Sequence, residues 1–331
     1  MRIFKTNGDS KFEIAAIEQD DAPSELVKVR ITHVLPCASD VEIFSGDSAT
    51  EYPFVIGRAA IGVISDDREE YGLKRGAKVI LNPYRIVKRD KNDQVTDVST
   101  MGTDVDGFMR ELIRIDKQYI IPFPEEVDED EAIFAERISI ALRAFNSCEA
   151  EKGSYVAVIG SDTVCNIIAQ LAIYFQMVPV MIGSNVHNLQ IASSCGIYFT
   201  VDESKESALE RVKEITCGKM ADLTFISVSH DTMPNFLFNV TKEGGKCVII
   251  GDEKSSAGYD ADLTEIVKRK LTVYGVSDGA SEFDSAINIL AQKVIQTDGF
   301  IEKTVEVKDA EILLREMREN PERYFNAVIK M

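Results

Sequence analysis

The stretch SYVAVIGSDTVCNIIAQLAIYF, residues 154 to 175, decides how the rest of the chain is read. Tyr155 to Ile159 is an apolar run rich in β-branched residues and reads as a buried strand. It ends in Gly160. From Thr163 an amphipathic run follows, with Val164, Ile167, Ile168, Leu171 and Phe175 at helical spacing. Strand, glycine turn and helix together form the opening of a dinucleotide-binding βαβ unit. There the free N–H groups and positive dipole end of the helix face a pyrophosphate. Against the G-x-G-x-x-G pattern, Gly160 holds the first place, but Asp162 stands at the second and Cys165 at the third. The second glycine normally lets backbone approach a phosphate, and a carboxylate stands there instead. Read structurally, Asp162 is the N-cap of the helix.

Working outward, residues 155–160, 179–183, 198–202, 222–228, 246–251 and 271–276 read as strands. Helices are expected between them near 163–176, 186–195, 204–217 and 232–241, and after the last at 281–295. Such alternation implies a doubly wound parallel sheet. Residues 1 to about 122 differ, reading as short strands broken by turns. LVKVRITHVLP (26–36), FVIGRAAIGVIS (54–65), GAKVILNPY (76–84) and GFMRELIRIDKQYIIPFP (107–124) suggest a β-barrel-like domain. The polar stretch from Arg85 to Asp106 reads as an exposed loop, and a helix is expected from Asp128 through DEDEAIFAERISIALRAFNS. The tail after 300 holds a short helix and a last strand able to rejoin the first domain.

A chain of 331 residues is long enough for two cores, since single cores stop growing near roughly 250 to 300 residues. A net charge of −18 argues against nucleic acid or an anionic membrane as partner, though one anionic cofactor needs only local positive potential. The N-terminal MRIFKTNGDSKFEI reads as the start of a strand, with no apolar leader. The six cysteines (37, 148, 165, 195, 217, 247) are dispersed, with no C-x-x-C pair. Their spacing favours a reduced, cytoplasmic protein over a disulfide framework.

Barrel, helix and doubly wound half in this order resemble the medium-chain dehydrogenase/reductase superfamily, in its zinc-type alcohol dehydrogenase-like branch. The matching segments are PCASDVEIFSGD (36–47), PFVIGRAAIGVI (53–64), DGFMRELIRID (106–116), FPEEVDEDEAIFAERISIALRAF (123–145), GGKCVIIG (244–251) and RKLTVYGVS (269–277). The resemblance implies a GroES-like β-barrel catalytic domain over 1–145 and 286–331, with a Rossmann-type dinucleotide-binding domain over 146–285. It also implies that Gly160, Asp162, Thr163, Val164, Gly183, Ser184, Asn185, Gly251 and Val276 line the cofactor site, and that the protein is a homo-oligomer, dimer or tetramer.

Transferred residue by residue, the family's zinc site is broken. Cys37 occupies the position of the early cysteine ligand, Ser39 that of the proton-relaying hydroxyl, and Glu136 that of the later carboxylate. The family's G-H-E reads Gly57-Arg58-Ala59 here, so the imidazole is replaced by a guanidinium, which offers no lone pair. None of His33, His187 and His230 falls in an obviously substituting position, and no cysteine lies between residues 85 and 106, where many relatives hold a structural zinc. No zinc is expected. Arg58 then has two readings: an electrophile that polarises a substrate carbonyl, or a plain ion pair with Glu136 filling the vacated place. Cys37 reads alternatively as a small buried hydrophobe and Ser39 as a helix cap. At the end of the second Rossmann strand, where NAD-binding members place an Asp, Gly183-Ser184-Asn185 favours NADP(H) over NAD(H). The function implied is zinc-independent hydride transfer between that cofactor and a small carbonyl, alcohol or conjugated enone, with Tyr84 as a further proton or polarising group. The alternative is a pseudoenzyme that has lost hydride transfer and serves as a binding or partner subunit.

Overall fold

In the computed structural model, residues 1–16, 25–68, 71–92, 95–227, 234–251 and 262–331 are described. His230 and the start of the helix expected at 232–241 lie outside them. The chain divides into two compact units. The first comprises Met1–Glu136, Ala286–Gln292 and Ile301–Met331, and the second Arg137–Ser285 and Lys293–Phe300. Among the described residues no helix is long and apolar enough to cross a membrane.

The first unit opens with an antiparallel pair, β1 (Arg2–Thr6) and β2 (Phe12–Ala16). Then come β3 (Val27–Leu35), α1 (Ala38–Ser45), β4 (Ala59–Ile64), β5 (Lys78–Leu81), β6 (Tyr84–Arg89), β7 (Val95–Thr100), β8 (Leu112–Ile115), β9 (Ile120–Pro122) and α2 (Glu129–Ala132). Central to it is β3, whose alternation sends Val27, Val29 and Ile31 into the core while Arg30 stays exposed. It pairs antiparallel with β4 and β8. The returning tail supplies β16 (Lys303–Glu306), α10 (Ala310–Glu319) and β17 (Ala327–Lys330), and β17 completes the sheet against β3.

The second unit begins within α3 (Ala135–Asn146). It alternates β10 (Tyr155–Ile159), α4 (Thr163–Tyr174), β11 (Val178–Gly183), α5 (Val186–Ser194), β12 (Phe199–Asp202), α6 (Ala208–Ile215), β13 (Ala221–Ser227), α7 (Pro234–Val240), β14 (Thr241–Ile250), α8 (Leu263–Arg269) and β15 (Thr272–Val276), and ends in the start of α9 (Phe283–Ala291), whose residues from Ala286 on belong to the first unit. All six strands are parallel, in the order β12-β11-β10-β13-β14-β15. Val156 to Ile159 are fully buried, as strands covered on both faces require. The order reverses between β10 and β13, the switch point beside which sheets of this kind bind ligands at the carboxyl ends of their strands. The α/β organisation read from the sequence, a β-rich unit with a doubly wound one, is present.

Three local readings need correction. The expected loop from Arg85 to Asp106 contains a two-stranded hairpin of β6 and β7. Every residue of β6 after Tyr84 is exposed, so its polar composition hid a strand held by backbone hydrogen bonds. The single helix expected from Asp128 is two, α2 and α3, separated by buried Ile133 and Phe134, and Asp128 and Glu131 form a capping box on α2. A helix, α1, does start where a capping Ser39 implies one, but its N-cap is Cys37, so Ser39 sits inside the first turn and does not cap it.

Candidate active site

In the first unit, β3 ends at Leu35 and delivers Cys37 to the start of α1. Asp40 lies three residues on, and its carboxylate accepts the Cys37 N–H (2.8 Å), the Cys37 thiol (3.1 Å) and the Gly57 N–H (2.7 Å). Thus α1 is stitched to the residue before Arg58. Gly57 has φ of +101°, in the left-handed region that a glycine tolerates. Two further glycines press on this turn. A Cβ at Gly102 would stand 2.7 Å from the Gly57 carbonyl oxygen and 2.8 Å from the Arg58 nitrogen, and one at Gly107 2.4 Å from the same oxygen.

Arg58 leaves this turn just before β4 and meets Glu136, in the first turn of α3, with Nε 2.9 Å from Oε1. Buried Tyr84, the first residue of β6, donates its hydroxyl to the same Oε1 at 3.1 Å. The Glu136 side chain is 4% exposed and that of Arg58 15%, so this is a largely desolvated, hydrogen-bonded pair. Ser39 Oγ lies 3.0 Å from Cys37 Sγ. Burial, and after it the charge of Asp40, pushes the Cys37 thiol up to about 12. Burial also raises the carboxyl of Asp40, against the pull of its N–H donors and Arg58. The cluster therefore holds a protonated thiol, a serine hydroxyl, a phenol and one guanidinium on a carboxylate.

Sequence reasoning had singled out Cys37, Ser39, Arg58, Glu136 and Tyr84, and all five fall in this unit. It missed Asp40, Gly102 and Gly107. An aspartate three residues after Cys37, the spacing of a capping box, was the available signal for Asp40, whereas nothing local marked the glycines. His33 sits on β3, its Nδ1 3.1 Å from Thr32 Oγ1. Burial lowers its imidazole, and its charged neighbours are Glu129, Lys330, Asp130 and Lys78, none of the cluster. His187 lies in the first turn of α5, in the second unit. Among the described residues no three His, Cys, Asp or Glu side chains come together in a way that could hold a metal ion.

In the second unit the predicted cofactor residues gather along the carboxyl edge of the sheet. Gly160 ends β10 with φ of +120° and donates its N–H to Ile182 (2.9 Å). Asp162 is the N-cap of α4, its carboxylate accepting the Cys165 N–H at 2.9 Å, and Thr163 and Val164 form the first turn. Gly183 ends β11, where a Cβ would stand 2.9 Å from that of Ser161. Asn185, just after Ser184, caps α5 by accepting the His187 N–H at 3.0 Å and the Asn188 N–H at 3.2 Å. Gly251 donates to the Val276 carbonyl at 3.0 Å, joining the ends of β14 and β15. An acid does stand beside Gly183, one strand over: Asp202 on β12. It is engaged locally, 2.6 Å from Lys205, which with Ser204 holds its carboxyl below the usual range.

Two family models match the chain: the alcohol dehydrogenase GroES-like domain over residues 23–125 and the zinc-binding dehydrogenase model over residues 163–292. An uncharacterized zinc-type alcohol dehydrogenase-like protein of Haemophilus influenzae is 23% identical over 313 residues, covering 91% of each chain. Sorbitol dehydrogenase of Bacillus subtilis is 21% identical over 310 residues, covering 90% of this chain and 88% of its own. Among solved structures, a short chain alcohol dehydrogenase of Escherichia coli CFT073, complexed with cofactor NADH, superposes with a TM-score of 0.87 at 19% identity. That match covers 100% of this chain and 99% of the other.

Proposed function

The chain belongs to the medium-chain dehydrogenase/reductase superfamily, and from that membership we propose that it is a zinc-independent oxidoreductase. It acts between NADP(H) and a small carbonyl or alcohol, or a conjugated enone. The observation that carries the reading is the buried Arg58–Glu136 pair. Its support comes from the donor set. A zinc ion needs about three protein ligands with available lone pairs. Here Glu136 is engaged by Arg58 and Tyr84, and a guanidinium stands where relatives offer an imidazole. These residues do not fit zinc.

A nicotinamide dinucleotide fits better. Two strand-end glycines and the first turn of α4 line one edge of a doubly wound sheet. A relative in this fold was solved with NADH. The absence of an acid at the end of β11 favours a 2′-phosphate. When bound, the nicotinamide supplies or accepts the hydride. The chain's own part is electrostatic: the Arg58 guanidinium, oriented by Glu136, holds the developing negative charge on a substrate oxygen. Ser39, within hydrogen-bond reach of the Cys37 thiol, passes the proton. Sorbitol dehydrogenase among the relatives favours the carbonyl–alcohol pair over the enone. Cytoplasmic operation agrees with six free thiols. The pseudoenzyme reading keeps one observation in its favour, the Asp162 carboxylate at the place of the second glycine.

Elemental analysis of purified protein should find far less than one zinc per chain, and NADPH-dependent reduction of small ketones and aldehydes should survive chelation. Stoichiometric zinc that a chelator removes along with activity would sink the zinc-free mechanism. Failure to bind NADPH at all would favour the pseudoenzyme.

A further inference from the structure

We propose that Arg85 and Arg110 form a binding site for the carboxylate or phosphate group of a small molecule, on the backbone that seats Arg58. The site lies wholly in the first unit and stands whether or not a dinucleotide binds the second. Both arginines hold to one small knot of chain. Arg110 Nε donates to the Gly107 carbonyl at 2.9 Å, and Arg85, on β6, reaches the Met101 sulfur with Nη2 at 3.8 Å. Gly107 and the residue after Met101 touch, since a Cβ at Gly107 would lie 2.7 Å from the Gly102 Cα. Both glycines also press on Gly57, so this knot is the one that shapes the Arg58 turn.

Positive charge is in excess there. The Arg110 side chain is only 15% exposed, yet its Nη2 has no hydrogen-bond partner, and the Asp106 carboxylate stands 3.7 Å away. The two acids of the adjoining loop are turned to backbone: Asp106 accepts the Val55 N–H at 3.0 Å and Asp104 the Thr100 N–H at 2.7 Å. Arg85 is exposed and makes no ion pair among the described residues, and a thioether is a weak acceptor for its guanidinium. Burial, with Asp106 pulling the other way and Arg85 adding to it, lowers the guanidinium of Arg110. A largely buried cation with an unused donor, beside a second cation, is costly until an anion joins them. The planar forks of two arginines match the oxygens of a carboxylate or phosphate. In a chain with 55 acidic residues against 37 lysines and arginines, two neighbouring arginines without a hydrogen-bonded carboxylate are what such a site requires.

The test is calorimetric titration of the full chain with inorganic phosphate and with succinate, against sodium chloride at matched ionic strength. Wild type should bind at least one of the two saturably, and the tighter one names the acidic group the site takes. Arg85→Met should weaken that binding about 10-fold or more, as loss of a charge-assisted hydrogen bond implies, and Arg110→Met should abolish it. Arg110→Lys keeps the charge without the fork and should bind more weakly than wild type. Melting curves show which variants are folded. Arg85 is exposed, so Arg85→Met carries the test even where a change at Arg110 unfolds the protein. A wild type that binds neither probe beyond chloride overturns the site. So does binding that Arg85→Met leaves unchanged, because the anion then sits elsewhere in the chain.

Discussion

Arg58 and Glu136 are paired in a place where an isolated charge is costly. Removing Arg58 alone takes the guanidinium from the Glu136 carboxylate, to which the Tyr84 hydroxyl still donates. Arg58→Met and Glu136→Leu should therefore each destabilise by roughly 3 to 5 kcal/mol in denaturant unfolding, and the double variant by much less than the sum. Strict additivity would mean the two charges are not coupled. The same double variant separates pairing from catalysis. Folded but inactive, it assigns Arg58 the electrophilic role; fully active, it makes the pair purely structural. At this scale the sequence named the partners correctly, because a missing imidazole is visible in one letter. The partners of Asp40 were not visible, since Gly57 meets it only through the fold.

At the scale of elements, the Arg58 turn is shaped by backbone that approaches too closely for any side chain. Gly102 has φ of +85° and would place a Cβ within 2.8 Å of three backbone atoms of Gly57 and Arg58. Gly76 has a similar φ of +89° but nothing within 4 Å of its Cβ position. Gly76→Ala should cost only the left-handed backbone penalty, about 1 to 2 kcal/mol. Gly102→Ala should cost roughly 1 to 3 kcal/mol beyond that and lower turnover, because the overlap can be relieved only by moving the Arg58 turn. Equal losses of stability in the two variants would show that the close approach is not what constrains the turn. The hairpin of β6 and β7 belongs to the same scale. It brings Tyr84 to Glu136, yet its exposed strands carry no apolar stripe for a sequence reader to find.

At the scale of the molecule, the six-stranded sheet ends in β15, whose outer edge has no partner among the described residues. On α8, Leu263 is 66% exposed and Val267 79%, one turn apart on the same face. An open edge with exposed apolar side chains on the preceding helix suits a second copy of the chain. Light scattering should report a homodimer or tetramer, and Leu263→Asp with Val267→Asp should shift it toward monomer without lowering the melting temperature of the isolated subunit. A monomer at micromolar concentration in the wild type would refute the assembly.

The alternation of strand and helix after Gly153 was determined by the sequence itself, since hydrophobic period is a local property that survives whatever the chain packs against. So were the loss of the imidazole at Arg58 and of two glycines in the turn after β10, which are matters of residue identity. Tertiary structure alone decided which distant groups meet: Arg58 with Glu136 and Tyr84, Gly102 with Gly57, and Arg137 with Thr163. These contacts join different elements through space. They are set by strand order, by how closely two backbones approach and by where a helix is seated, and no local pattern of residues records those quantities.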